Sequence, residues 1–153
     1  MSLESLYQDI ILDHYKNPRG RGLMESPLGT AFHVNPTCGD EINMQVAASE
    51  DGGLLIGYEG TGCSISQASA SVLYELVQGR PVADAESIRL AFVELMHSKG
   101  HADPDEEVLG DAIAFVGVAK YPARIKCALL PWMALQDAEI KGGLMSEPDS
   151  DQE

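Results

Sequence analysis

Leu3, Leu6, Tyr7, Ile10 and Ile11, followed by His14, recur at intervals of three and four. That period draws one face of a helix over residues 3–15. Asn17-Pro18-Arg19-Gly20 stops it, and a loop rich in Gly and Pro continues to about residue 29. The period then changes to two. Thr30 to Val34 reads as a short strand, and Ile42, Met44 and Val46 alternate with polar positions as a half-buried strand does. Ser49-Glu50-Asp51-Gly52-Gly53 is a strong turn signal, after which Leu54 to Tyr58 returns as a third strand. Short strands joined by turns predict a small three-stranded antiparallel sheet.

Helical spacing resumes at Ser64. Ile65, Ala68, Val72, Leu73 and Leu76 share a side of a helix running to Gln78, where Gly79-Arg80-Pro81 ends it. Ser64 and Gln67 have the spacing of a capping box. Asp84 to about Ser98 predicts a further helix with Ile88, Phe92, Leu95 and Met96 inward, and Pro104-Asp105-Glu106-Glu107 opens a short acidic one. Gly110 to Gly117 is apolar without a clear period. The last helix begins at Pro122 or Ala123 and reaches about Lys141. Pro131 inside it cannot donate to the carbonyl of Cys127 and crowds it, so a kink or a break is expected there. Strands first and helices after them make an α+β fold. Residues 1–145 are expected to form one domain, and the acidic residues 146–153 a disordered tail.

The composition of the 153 residues, 44% hydrophobic and 22% charged, is ordinary for a globular domain. No stretch approaches the roughly eighteen apolar residues of a membrane span. The opening Met-Ser-Leu-Glu-Ser-Leu-Tyr lacks the basic and apolar regions of a signal peptide. No membrane association and a cytoplasmic location are therefore expected. The net charge of −14 argues against a nucleic-acid partner, since Lys16, Arg19 and Arg21 form the only dense basic group. An acidic surface favours solubility and could steer the chain toward a basic partner.

The chemistry rests on three cysteines, an odd number that argues against a disulfide framework. Cys38 follows Pro36 in the loop between two predicted strands. Gly39 beside it widens the conformations open to the loop, and Asp40 is close enough to share a metal ion. Asp40 could equally be a turn aspartate bonded to its own backbone. Cys63 stands between a Gly-rich turn and the first turn of a helix, where free N–H groups and the helix dipole favour a thiolate. Cys127 lies near the start of the last helix between Arg124 and Lys126, cations that lower a thiol's pKa. Ile125, Leu129 and Trp132 make a core-facing cysteine the competing reading. Three thiols and one carboxylate are the number of ligands that a tetrahedral zinc site takes. Of the histidines, His97 and His101 read as exposed, His14 as packed on the first helix, and His33 as the one nearest in sequence to Cys38.

Together these motifs resemble the SufU family, within the IscU-like iron–sulfur cluster assembly proteins. The likeness spans roughly residues 3–141. It is carried by Leu6-Tyr7, Asp13-His14-Tyr15-Lys16-Asn17-Pro18-Arg19, Asn35-Pro36-Thr37-Cys38-Gly39-Asp40, Gly62-Cys63-Ser64-Ile65-Ser66 and Arg124-Ile125-Lys126-Cys127. Lys126 stands where the scaffold type has histidine. Cys63 and Cys127 are 64 residues apart, a longer span than in the scaffold type, and the acidic stretch at 104–107 fits the insertion of SufU-like proteins. Pro131 departs from the small or polar residue expected there.

The resemblance implies an IscU-like fold of the SufE/NifU superfamily type, a three-stranded sheet packed with helices. It implies one zinc ion on Cys38, Asp40, Cys63 and Cys127. It further implies a role as sulfur acceptor for a SufS-type, pyridoxal-phosphate cysteine desulfurase, delivering sulfur to a downstream iron–sulfur scaffold or other acceptor. In the family one cysteine leaves the metal as a desulfurase histidine replaces it. Cys38, on its glycine-flanked loop, is the expected catalytic acceptor, with Asp40 a weak oxygen ligand and Arg124 and Lys126 guiding the anionic persulfide. Three other functions compete: a scaffold carrying a transient iron–sulfur cluster on the same ligands, a structural zinc protein with an interaction role, and a thiol hydrolase built on Cys63 and a histidine.

Overall fold

The structure, a computed structural model, describes residues 3–101 and 103–146. Apart from Ser146, the acidic tail lies outside the described residues. The elements run α1 (Leu3–Lys16), β1 (Gly29–Asn35), β2 (Asp40–Ala48), β3 (Leu54–Thr61), α2 (Ser64–Val77), α3 (Val82–Met96), α4 (Glu106–Leu109), a 3₁₀ segment (Gly110–Lys120) and α5 (Pro122–Lys141). The strands form one antiparallel sheet in the order β1-β2-β3. This is the predicted α+β arrangement, with each strand longer than its hydrophobic run because backbone pairing continues past the last apolar residue.

The sheet alternates as its sequence predicts. Ile42, Met44 and Val46 of β2 are buried on the inner face, where α5 crosses β1 and β2. Phe32 and Val34 of β1 point the other way and are exposed. Behind α5 lies α2, and α1 packs on α2 and on the 3₁₀ segment. Aromatic contacts fix the centre: Phe92 of α3 stacks on Trp132 of α5 at 4.4 Å and meets Phe115 edge-on at 5.7 Å. The buried Trp132 indole donates to Ser69 Oγ at 2.9 Å, and that hydroxyl donates to the Ala128 carbonyl at 2.6 Å. Ser69 thereby joins α2 to α5 without leaving the indole N–H unpaired.

Four local expectations change. The capping box at Ser64 does not form: Cys63 is the N-cap of α2, with no side-chain cap, and Gln67 N–H bonds the Cys63 carbonyl. The apolar face of α1 is only partly covered, with Leu3 and Leu6 exposed and His14 alone fully buried. Residues 110–120 form an unusually long 3₁₀ run whose alternate small residues left no helical or strand period to read. α5 continues through Pro131 for its full 20 residues, so the helix is not broken there. Pro131 still supplies no N–H to the Cys127 carbonyl.

A second buried network positions the elements around the site. His14 is fully buried and makes contacts of 2.7 Å to Ser71 Oγ and 2.8 Å to Asp111 Oδ2, joining α1 to α2 and to the 3₁₀ segment. Ser71 Oγ also accepts the Arg19 backbone N–H, and Arg19 pairs with Asp13 and Glu75. The Asp-His-Tyr-Lys-Asn-Pro-Arg motif is thus a clasp holding the first helix and its following loop against α2.

Among the described residues, Glu139 of α5 and the side-chain oxygen of Asn43 are exceptions to the satisfied interior, and Glu139 is the charged one. It is 1% exposed, and neither carboxylate oxygen has a hydrogen-bond partner. Burial pushes its carboxyl up to about 7, with Glu86 adding to the rise and Arg89 opposing it. In the unfolded chain the proton leaves near 4.5. Between those values the folded state holds the extra proton, so this group's contribution falls as pH rises through that window and is constant above it. Unfolding of wild type and Glu139→Gln by urea from pH 4.5 to 8 checks this. The variant should gain relative stability with rising pH, to a difference on the order of 3 kcal/mol above pH 7.

Candidate metal centre

The β1–β2 loop, the start of α2 and the first turns of α5 bring the three cysteines together. Asn35 and Asp40 face each other at the end of the β1–β2 ladder. The four residues between them form a tight loop in which Cys38 N–H bonds the Asn35 carbonyl at 3.2 Å. Gly39 completes that turn at φ 71, in the left-handed region. The loop leaves Cys38 exposed, while Cys63 is half-buried and Cys127 buried.

Asp40 is the centre of the group. Its fully buried side chain accepts the Cys63 backbone N–H at 2.8 Å, and its other oxygen lies 3.8 Å from Cys63 Sγ. Gly62 is required just before Cys63: its φ is +148, and a Cβ there would collide with the Asp40 carboxylate. Cys127 Sγ lies 3.3 Å from Cys38 Sγ. One ligand atom each from Cys38, Asp40 and Cys127 all fall within 4.8 Å of one another. Cys63 reaches this set through Asp40, with its sulfur also 3.9 Å from Ser66 Oγ.

The electrostatics suit a cation. Burial raises the Asp40 carboxyl, but the Cys63 N–H and the Cys127, Cys63 and Ser66 side chains outweigh it and hold the group below the usual carboxylate range. Burial pushes the Cys127 thiol well up, and Asp40, Cys38 and Cys63 push it further. A buried carboxylate facing closely spaced sulfurs is costly unless a positive charge balances it. Soft sulfurs with one oxygen fit zinc. His14, Glu75 and Asp111 also lie within 4.8 Å of one another. There the His14 nitrogens are engaged by Ser71 and Asp111, and the Arg19 guanidinium already balances Glu75.

The remaining sequence candidates separate. His33 bonds Asp137 of α5 at 3.0 Å and takes no part in the cluster, and His97 and His101 are exposed. Arg124 is exposed and lies over the Tyr121 ring at 5.1 Å. Lys126 is exposed on the same turn. A groove of about 510 Å³ lies between α1, the 3₁₀ segment and the starts of α2 and α5, with Tyr7, Ile11, Ile65, Lys120 and Arg124 among its walls. Sequence reasoning missed the closing role of Asn35, whose only signal was its place two residues before a strand-connecting Thr37-Cys38-Gly39.

Sheet, helices and cysteine cluster together define a class. The NifU-like N terminal domain family matches residues 6–128, and the chain belongs to it. It is 41% identical over 140 residues to the zinc-dependent sulfurtransferase SufU of Bacillus subtilis, covering 92% of this chain and 93% of that one. It is 38% identical over 136 residues to the iron–sulfur cluster assembly scaffold protein IscU of Streptococcus pyogenes, covering 89% and 84%. The crystal structure of FiSufU from Fervidobacterium Islandicum AW-1 superposes with a TM-score of 0.77 at 32% identity, covering 90% of this chain and 98% of that one. The resemblance to SufU-type proteins is thereby borne out. Among the described residues no helix is long and apolar enough to cross a membrane.

The Asp40 to Cys63 bond has a direct test. Asp40→Ala leaves a buried N–H at the start of α2 unpaired and should cost about 1–3 kcal/mol in metal-free protein. Asp40→Asn, which keeps a carbonyl acceptor, should lose less. Urea unfolding of both variants in chelator checks the order; equal losses would contradict it.

Proposed function

We propose that this protein is a zinc-dependent sulfur acceptor. In this reading it takes persulfide sulfur from a SufS-type cysteine desulfurase and passes it to a downstream iron–sulfur scaffold or other acceptor. The observation that carries the reading is the meeting of an exposed Cys38 and a buried Cys127 beside a buried Asp40, three ligand atoms within 4.8 Å. The 41% identity to a relative named as a zinc-dependent sulfurtransferase supports the same reading.

Cys38, Asp40, Cys63 and Cys127 would hold the ion. Zinc there would keep the thiols deprotonated near neutral pH, without redox chemistry of its own. Cys38 is the acceptor: it is the most exposed of the three sulfurs and sits on a four-residue loop, whereas Cys63 and Cys127 are built into helix starts. Its thiolate attacks the outer sulfur of the desulfurase persulfide, and the desulfurase cysteine departs as a thiolate. The sulfur then resides on Cys38 as a new persulfide. Arg124 and Lys126, exposed near Cys127, are available to attract the anionic donor.

The name of the Streptococcus pyogenes relative favours a second reading, a scaffold for an iron–sulfur cluster. Metal content and activity separate the two. The purified protein should carry one zinc per chain and accelerate alanine formation by a desulfurase supplied with cysteine. Stoichiometric iron, a coloured protein and no acceleration would favour the scaffold. Cys38→Ala should abolish persulfide capture; normal capture by that variant would remove Cys38 from the acceptor role. Chelation of the metal should lower the melting temperature by roughly 10 °C, since the site ties three chain segments together. An unchanged melting temperature would contradict a site of this kind.

A further inference from the structure

Asn35 is 7% exposed and ends β1 directly opposite Asp40. It touches both of the closely spaced sulfur-bearing residues. Its backbone carbonyl accepts the Cys38 N–H at 3.2 Å. Its side-chain Nδ2 donates to Cys127 Sγ at 3.5 Å, within the buried part of the cluster. Cys127 is the one sulfur of the three to which an amide N–H is directed among the described residues. Cys38 Sγ has its recorded contact with Cys127 Sγ, and Cys63 Sγ with Asp40 and Ser66.

This asymmetry matters because the Cys38 and Cys127 sulfurs are 3.3 Å apart. Exposure lets an incoming electrophilic sulfur meet Cys38 first, but a sulfur delivered there lies beside the buried Cys127, so exposure alone does not keep the two roles apart. An N–H···S bond to a thiolate is charge-assisted and draws on the lone pair that would otherwise attack. Partners of this kind orient a metal ligand and tune it. We infer that Asn35 is a positioning residue that quiets Cys127 and holds it as a permanent ligand, so that Cys38 is left as the reactive sulfur. The inference rests on the proposed zinc site and on Cys38 as acceptor. It adds the residue that makes two neighbouring thiolates unequal.

The test uses zinc-loaded full-length protein and limiting iodoacetamide, with the label located by mass spectrometry. Wild type should be alkylated first at Cys38. Asn35→Leu removes the donor at nearly constant size and should raise the ratio of Cys127 to Cys38 label by about tenfold, the scale on which such partners act. Cobalt substituted for zinc supplies a signature that mere loosening would not move. Loss of the N–H raises the energy of the sulfur lone pair, so the sulfur-to-cobalt charge-transfer band should shift to longer wavelength. Asn35→Asp, which keeps the shape but presents only acceptors near neutral pH, should shift the band in the same direction and serves if the leucine variant does not fold. An unshifted band overturns the inference, whether or not the labelling ratio changes. Wild-type label appearing first on Cys63 or Cys127 would instead overturn the acceptor assignment, an outcome separate from the band position.

Discussion

One buried carboxylate sets the geometry on which the rest depends. Asp40 begins β2, yet its side chain holds the Cys63 N–H that begins α2. That bond joins the end of a strand ladder to the start of a helix across 23 residues of chain. A free N–H at a helix start needs an acceptor, and a buried carboxylate needs donors. Each answers the other's cost, with Gly62 clearing the space between them. The carboxylate that organises the site is also the oxygen best placed to face a metal ion. Fold and chemistry meet in one residue, so the cluster needs no long loops to assemble it.

The third segment is delivered by packing. α5 lies across the inner face of β1 and β2, and its rotation is fixed by the stacked Phe92–Trp132 pair and the Ser69 bridge to Ala128. Cys127 is the residue just before that bridge, so the same contacts that fill the core aim its sulfur at Cys38. Pro131 withholds the usual hydrogen bond from the Cys127 carbonyl, so that carbonyl lacks its ordinary helical partner. The His14 clasp does the corresponding work on the other side, holding α1 against α2 and the 3₁₀ segment, two of the walls of the groove.

Much of this was legible in the residues. The change from a period of two to a period near 3.6 at Ser64 marks the passage from sheet to helices, and Gly-rich turns mark the ends. All three cysteines were placed by local signals: a turn, a helix start and a helix flank. What could not be read is what depends on contacts between distant residues. The clasp of His14 onto Ser71 and Asp111 spans 57 and 97 positions. The exposure of Leu3 and Leu6 depends on how far α2 and the 3₁₀ segment cover α1, which no period reveals. The 3₁₀ segment lacks a period altogether because its small residues pack on both sides. His33 was nearest to Cys38 in sequence, but its strand register turns it toward Asp137. Nothing local told Asn35 apart from an ordinary turn residue.

The three sulfurs are therefore unequal before any partner arrives: one exposed on a short loop, one at a helix cap, one buried under an amide donor. The proposed division of labour between holding and reacting rests on that inequality more than on the number of thiols. The central proposal is that three sulfurs and one oxygen would hold a single ion. Zinc-edge X-ray absorption of the reconstituted protein measures that donor set directly. Three sulfur scatterers near 2.3 Å and one oxygen near 2.0–2.2 Å are expected. Two or fewer sulfurs in the wild-type protein, or a shell of nitrogen and oxygen alone, would contradict the convergence.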